Sequence, residues 1–549
     1  MIRPLVLTLA GVATLWLAAL VPAGAAGAPV VDAPAGAVKG EALAGVNAFR
    51  GIPYAEPPTR QLRWRPPVTA KPWKDTRDAT RFGPACHQPP SRPGSIYAPA
   101  DALAMSEDCL SLNVWAPADA DRAPVFVWIH GGALSGGAGS EVMYDGARLA
   151  EQGLVVVSIN YRLGVLGYLA HPQLSEESPH GISGNYGLLD QIEALRWIQR
   201  NIAAFGGDAG NVTIAGESAG ALSVMYLMTA PSAQGLFHKA IAQSAYMIST
   251  QALRGTVHGT PSAEESGLAL SRNIEVRGLA RLRAMDAQTL TVQAALSGFL
   301  PLGSVDGHVL PAQMVEVFDR GEQAPVPVLA GFNEGEIRSL RFLLPPQPAD
   351  AATYEATIRA SYRELAGAML ERYPPANIDE AMLATTRDAM YGWTSERLVR
   401  KQTALGHPSF LYYFNHSYPA ADKAGLHAFH ASEIPYVFGA ADRTPPHWPK
   451  IPETDIERQL SAAMMGYWAA FARDGVPAVA GAPEWRAYGD ARAYMAFDAA
   501  AVPGEHLLPG MYELVETVVC RRRAQGELPW HWNVGIVSPP LPQGETGCP

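Results

Sequence analysis

Residues 211–220 read Asn-Val-Thr-Ile-Ala-Gly-Glu-Ser-Ala-Gly, a β-branched run ending on a serine fenced by two glycines. Residues 212–215 predict a strand, and 219–228 (AGALSVMYLM) predict a helix. Ser218 then stands on the turn between them, the placement a nucleophile in a G-x-S-x-G elbow requires. Side chains at Gly216 and Gly220 would collide with neighbouring segments in such a turn. The helix would also point its unpaired N–H groups at the reaction centre. The pentapeptide alone decides little. A chain of 549 residues with 52 glycines meets it by chance about one time in four.

Its weight comes from what surrounds it. Residues 125–129 (Val-Phe-Val-Trp-Ile) and 154–159 (Leu-Val-Val-Val-Ser-Ile) read as strands buried on both faces, as in a parallel sheet. Across 188–205, Leu188, Ile192, Leu195, Ile198 and Ile202 recur at helical spacing, and Gly206-Gly207-Asp208 ends the pattern. Alternating strands and helices predict an α/β fold with a central, mostly parallel sheet. No linker divides the chain, since the Pro- and Ala-rich stretches 88–101 and 343–352 are short enough to be surface loops. No repeat appears at solenoid periods.

A serine alcohol needs a base to take its proton and donors to hold the oxyanion it creates. Directly after residues 125–129 comes His130-Gly131-Gly132-Ala133. In this position such a loop offers the N–H groups of Gly132 and Ala133, joined by that of Ala219. A phosphate-cradling loop is disfavoured, because neither G-K-[ST] nor a G-x-G-x-x-G opening a helix is present. The base and its orienting acid should follow in the order serine, acid, histidine. Seven of the fourteen histidines lie beyond Arg400.

Bulk properties bound the remaining choices. The chain is 48% hydrophobic and 17% charged, so it can bury a large core. A net charge of −10 argues against a nucleic-acid partner. The basic run Arg521-Arg522-Arg523 sits where a helix could end and answer its dipole. Arg3, an apolar stretch over 5–21, and small residues in A-x-A register over 22–28 are laid out as a secretory signal, cleaved after Ala25 or Ala28. The apolar stretch is shorter than the ~20 residues that span a bilayer. We therefore expect a secreted or periplasmic protein with no stable membrane insertion after cleavage. Four cysteines allow three pairings; neighbour pairing, 86–109 and 520–548, closes the shortest loops. No cysteine or histidine spacing suits zinc, so no metal site is expected.

With these motifs in hand, the chain resembles the type-B carboxylesterase and cholinesterase-like branch of the α/β-hydrolases. Phe205-Gly-Gly-Asp-Ala-Gly-Asn-Val-Thr-Ile-Ala-Gly-Glu-Ser-Ala-Gly220 fits the serine signature of that family. Glu107-Asp-Cys-Leu-Ser-Leu-Asn-Val-Trp115 fits the second, with Ser111 replacing the usual Tyr or Thr. Phe49-Arg-Gly-Ile-Pro-Tyr-Ala-Glu-Pro-Pro58 and Asn160-Tyr-Arg-Leu-Gly164 add to it, and the resemblance runs from about residue 35 to about 520.

The resemblance implies an α/β-hydrolase fold and a serine esterase with a Ser-His-Glu triad. Its histidine motif, H-x-x-E-[IL]-x-[FY]-V-F, is matched by His430-Ala-Ser-Glu-Ile-Pro-Tyr-Val-Phe438. His427, three residues earlier, is out of register. The acid segment, G-x-N-x-D-E-G, corresponds to Gly331-Phe-Asn-Glu-Gly-Glu-Ile337, which puts Glu336 in register and departs at Gly335 and Ile337; Glu334 is its rival. Such a carboxylate holds the imidazole tautomer and stabilises the imidazolium. The resemblance also places Glu217 in the pocket wall, makes Ser244 a buried serine near the acid (plain packing being the alternative), and implies a Cys86–Cys109 disulfide loop. In cholinesterases that loop carries a tryptophan that binds the choline cation. Here Tyr97 is the only aromatic residue between the two cysteines, so choline esters are poor candidates.

The resulting expectation is a signal over residues 1–25, a single hydrolase domain over 29–520 and a Pro-rich tail over 521–549. The substrate is a small-molecule carboxylic ester, cleaved through an acyl-enzyme with no metal or organic cofactor. Amide, carbamate, thioester or lactone hydrolysis would use the same machinery. A non-catalytic, adhesion-type member is disfavoured because all three triad positions are filled. The oligomeric state is not legible, and the tail beyond Arg523 matches no motif.

Overall fold

The computed structural model of the chain describes residues 28–531, 534–542 and 548. The expected signal over 1–25 lies outside the described residues, as does Trp532. In the predicted strands successive side chains are apolar without alternation, apart from Ser158 and Thr213, and both faces of the sheet prove to be covered. Val125, Val127 and Ile129 join Val155, Val157 and Ile159 in one core. Phe126, Trp128 and Val156 enter another on the opposite face. A strand sending successive side chains to opposite faces must be apolar throughout when neither face meets water.

The main sheet has eleven strands. In chain order they are β1 (Glu41–Ala42), β2 (Val46–Pro53), β3 (Ser111–Pro117), β4 (Ala123–Ile129), β5 (Val155–Ile159), β6 (Gly207–Glu217), β7 (Lys239–Gln243), β8 (Val328–Asn333), β9 (Ser409–Phe414), β10 (Ala493–Phe497) and β11 (Ala501–Glu505). Their spatial order is β11-β10-β9-β8-β7-β6-β4-β5-β3-β2-β1. From β5 to β10 every pairing is parallel. The strands outside that run pair antiparallel, at one end β11 on β10 and at the other β3, β2 and β1. The expected mostly parallel α/β sheet is therefore present.

Helices cover both faces. The helix predicted over 188–205 forms as α1 (Tyr186–Asn201), tightened into a 3₁₀ turn over Ile202–Phe205 and ended by Gly206 in the left-handed region, φ 80°. It lies in the first core with α2 (Ala219–Thr229), whose residues are all buried. The other face is covered by α3 (Asp455–Asp474), which carries Leu460, Met464, Tyr467, Trp468 and Phe471 into the second core.

Both expected disulfides are formed, Cys86–Cys109 and Cys520–Cys548. Cys520 lies within α4 (Met511–Gln525), which runs through the position where the tail was expected to begin. The basic run occupies the last turns of this helix. Arg521 pairs with Glu364, Arg523 lies 2.9 Å from Asp319, and Arg522 donates to the Pro539 carbonyl at 3.1 Å. Beyond the helix the chain folds back. Trp530 packs against Trp393, with ring centroids 5.8 Å apart, and the Leu541 N–H donates to the Ser361 carbonyl. Among the described residues no helix is long and apolar enough to cross a membrane.

This topology gathers the candidate site. The 130–134 loop follows β4, Ser218 follows β6, Glu336 follows β8, and the connection carrying His430 follows β9. All four leave the carboxyl ends of parallel strands, where crevices of open α/β sheets form.

Candidate active site

Ser218 sits between β6 and α2 with φ 56° and ψ −120°. A non-glycine residue there carries strain of about 1–3 kcal/mol, and the surroundings must impose it. Its N–H donates to the Gln243 carbonyl on β7 at 2.9 Å. A Cβ on Gly216 would stand 2.5 Å from the carbonyl carbon of Gly220 and 2.8 Å from the Ile129 oxygen, and one on Gly220 would overlap that same oxygen. The two glycines thus let the turn close against the end of β4, leaving Ser218 partly exposed at its tip.

The loop after β4 is strained in the same way. Gly132, Ala133 and Leu134 have φ of 100°, 55° and 56°. Among the described residues the N–H groups of Gly132, Ala133 and Ala219 donate to no backbone or side-chain acceptor. They remain available to a developing negative charge beside the positive end of α2. Gly131 connects this loop to the elbow, since a Cβ there would lie 3.3 Å from Ser218 Cβ. His130 braces it: its Nδ1 lies 2.9 Å from the Gly131 oxygen, its ring stacks on Tyr161, and the Tyr161 hydroxyl donates to its carbonyl at 2.8 Å. Burial lowers the His130 pKa to about 4, so this ring is neutral at ordinary pH.

The acid and histidine turns meet directly. Gly335 N–H donates to the Ala428 carbonyl at 2.8 Å, and the Asn333 amide donates to the Phe429 carbonyl at 2.9 Å. Glu336, fully buried, accepts the Asn333 N–H on Oε1 at 2.9 Å and faces His430 Nδ1 with Oε2 at 2.5 Å. Its rival Glu334 is partly exposed and lies 3.9 Å from Arg387. His427 pairs with Asp422 on the surface.

The opposite edge of the His430 ring is turned to Glu217, with Nε2 3.1 Å from its Oε1. Among the described residues no hydrogen bond joins His430 to Ser218 Oγ. Nucleophile–base contacts of this kind are often loose without substrate and tighten when it binds. Burial would lower the His430 pKa, but the carboxylates of Glu217 and Glu336 outweigh it and raise it above its ordinary value. Burial pushes the Glu217 carboxyl up as well.

Ser244 is fully buried, with φ 50°, and its N–H donates to the Gly331 carbonyl. Its hydroxyl makes no hydrogen bond to Glu336 among the described residues. Of the residues sequence reasoning passed over, Glu433 accepts from Gln243 at 2.9 Å and from Asn333 at 2.6 Å, while Trp468 donates to Gln243. Tyr391, on a π-helical turn over Asp388–Gly392, packs its ring 5.4 Å from that of His430. Glu433 is the fixed glutamate of the histidine motif, a signal that could have flagged it. Tyr391 lies in no motif. Trp393 belongs to the core, its indole N–H donating to Glu516. Phe299, Leu300 and Leu302 line a cavity of about 430 Å³ with Ser249, Leu270 and His531, whose walls include none of Ser218, Glu336 and His430.

Comparison with known proteins gives one answer. Residues 27–508 match the carboxylesterase family. The chain is 36% identical over 483 residues to a fumonisin B1 esterase from Sphingopyxis macrogoltabida, covering 84% of this chain and 85% of that one. It is 34% identical over 474 residues to a para-nitrobenzyl esterase from Bacillus subtilis, covering 84% and 92%. A solved PNB esterase structure superimposes with a TM-score of 0.75 at 32% identity, covering 88% of this chain and 99% of that one. The chain therefore belongs to the carboxylesterase family, as a carboxylic ester hydrolase of α/β-hydrolase fold.

Proposed function

We propose that this protein hydrolyses small-molecule carboxylic esters through an acyl-enzyme built on Ser218, with His430 as base and Glu336 as its orienting acid. The observation that carries this reading is the short contact between Glu336 and His430 Nδ1. A carboxylate at Nδ1 favours the tautomer protonated there, whose Nε2 can accept a proton once it leaves Glu217. On substrate binding Nε2 turns from Glu217 to Ser218 Oγ. The oxygen attacks the carbonyl carbon, its proton passes to Nε2, and the tetrahedral oxyanion rests on the N–H groups of Gly132, Ala133 and Ala219. Collapse breaks the ester C–O bond as His430 protonates the leaving alcohol. Water then repeats the sequence to release the acid and restore Ser218.

The protein acts outside the cytoplasm after removal of its signal, a reading supported by the layout of residues 1–28 and by two disulfides, which persist in oxidising compartments. The hydrolase domain over 29–520 carries the reaction, and the tail over 521–549 is tied to it through Cys520 and Cys548. A fluorophosphonate probe followed by peptide mass spectrometry tests the mechanism. Label on Ser218, abolished in His430→Ala, is the expected result. An unlabelled Ser218 in folded protein would overturn it.

A further inference from the structure

Tyr97 lies in the loop closed by Cys86–Cys109, far from the triad in sequence, yet its hydroxyl reaches the backbone of His430. The oxygen stands 2.9 Å from the His430 carbonyl and 2.7 Å from Ser339 Oγ. A phenol has one proton and a carbonyl can only accept, so Tyr97 donates to His430 and the Ser339 hydroxyl donates to Tyr97. Ser339 ends the single 3₁₀ turn, Glu336–Arg338, that carries the acid. The relay therefore joins the acid turn, the disulfide loop and the histidine turn.

The histidine turn needs such a hold. Ala431, next in the chain, has φ 69°, a left-handed conformation that a non-glycine residue does not keep unaided. On one side Asn333 and Gly335 hold the carbonyls of Phe429 and Ala428. On the other, Tyr97 is the donor to the His430 carbonyl among the described residues. The Tyr97 ring is seated edge-on against Trp448, centroids 5.9 Å apart, and Trp448 packs on Phe429 at 4.8 Å. The hydroxyl is thus aimed by packing rather than by a mobile side chain.

We propose that Tyr97 is a positioning residue: its hydrogen bond to the His430 carbonyl sets the imidazole between Glu336 and Ser218, making the Cys86–Cys109 loop part of the catalytic apparatus. This rests on His430 being the base. Tyr97→Phe keeps the ring on Trp448 and removes only the hydroxyl. We expect kcat to fall about tenfold with KM within about twofold, the rate of fluorophosphonate labelling per site to fall in parallel, and the number of titratable sites to stay unchanged. Ser339→Ala, which leaves the ring untouched, should lower kcat by roughly two- to threefold. The double variant should be no slower than Tyr97→Phe alone.

An unchanged labelling rate per site in Tyr97→Phe overturns the proposal. So does a loss of activity explained wholly by fewer titratable sites, because a merely structural residue would act that way. If Tyr97→Phe does not fold, Ser339→Ala decides, and a labelling rate equal to that of the parent overturns the proposal. The underlying reading fails separately, if the parent takes no label at Ser218 or if His430→Ala labels as fast as the parent.

Discussion

The turn that carries Ser218 and the turns that carry Glu336 and His430 are held by different means. At the elbow, main chain is pressed on main chain: Gly216 and Gly220 close on the end of β4, and Ser218 between them takes φ 56°. At the turns of Glu336 and His430, side chains share the holding with the backbone bond from Gly335 to the Ala428 carbonyl. Asn333 bonds the Phe429 carbonyl and Tyr97 the His430 carbonyl, while Glu433 is fixed by Gln243 and Asn333. Ser218 is therefore placed by excluded volume, which does not depend on pH. The His430 ring lies between the carboxylates of Glu336 and Glu217, and those contacts do depend on pH.

The largest effect expected from breaking either half is on turnover. Ser218→Ala should lower kcat/KM by about 10⁴-fold or more with thermal stability retained; steady-state assay with calorimetry checks both. Next, Glu336→Gln should cost roughly 10²- to 10⁴-fold, whereas Glu334→Gln, half-exposed beside Arg387, should stay within about twofold. The reverse ranking would exchange the two acids. Gly220→Ala probes the backbone half. An ordinary helical Gly→Ala gains about 0.5–1 kcal/mol, but here the added methyl meets the Ile129 oxygen. Destabilisation of roughly 1–3 kcal/mol is expected instead, read as a lowered Tm together with lost Ser218 labelling.

The smallest effect is the most diagnostic of the electrostatic half. Glu217 and Glu336 raise the His430 pKa, and only the neutral ring can take the Ser218 proton. Activity therefore falls as pH drops through that raised value. Glu217→Gln removes one negative charge, destabilises the imidazolium and should move the acidic limb of the kcat/KM profile to lower pH by roughly 0.5–1 unit. An unmoved limb would mean that the Glu217 contact is absent from the free enzyme.

Legibility follows the same division. The elbow could be read from ten residues because its constraints are local: strand run, glycine, serine, glycine, helix. The position of the 130–134 loop was legible for a similar reason, being the segment straight after an apolar strand. His430 and Glu336 were found through family motifs; their register, rather than any local physics, separated them from His427 and Glu334. In the structure Glu336 is fully buried against His430, whereas Glu334 lies 3.9 Å from the buried Arg387 and His427 pairs with Asp422 on the surface.

By itself, then, the sequence determined the α/β layering, the strand–serine–helix turn and the family of the chain. Each is written in residue periodicity or in spacing along a few neighbouring positions. Only the tertiary structure decided that His430 Nε2 faces Glu217, that Gln243 bonds Glu433 across 190 residues, and that Tyr97 bonds the His430 carbonyl across 333. Such contacts leave no periodic trace, because they join segments brought together by packing on opposite ends and edges of one sheet.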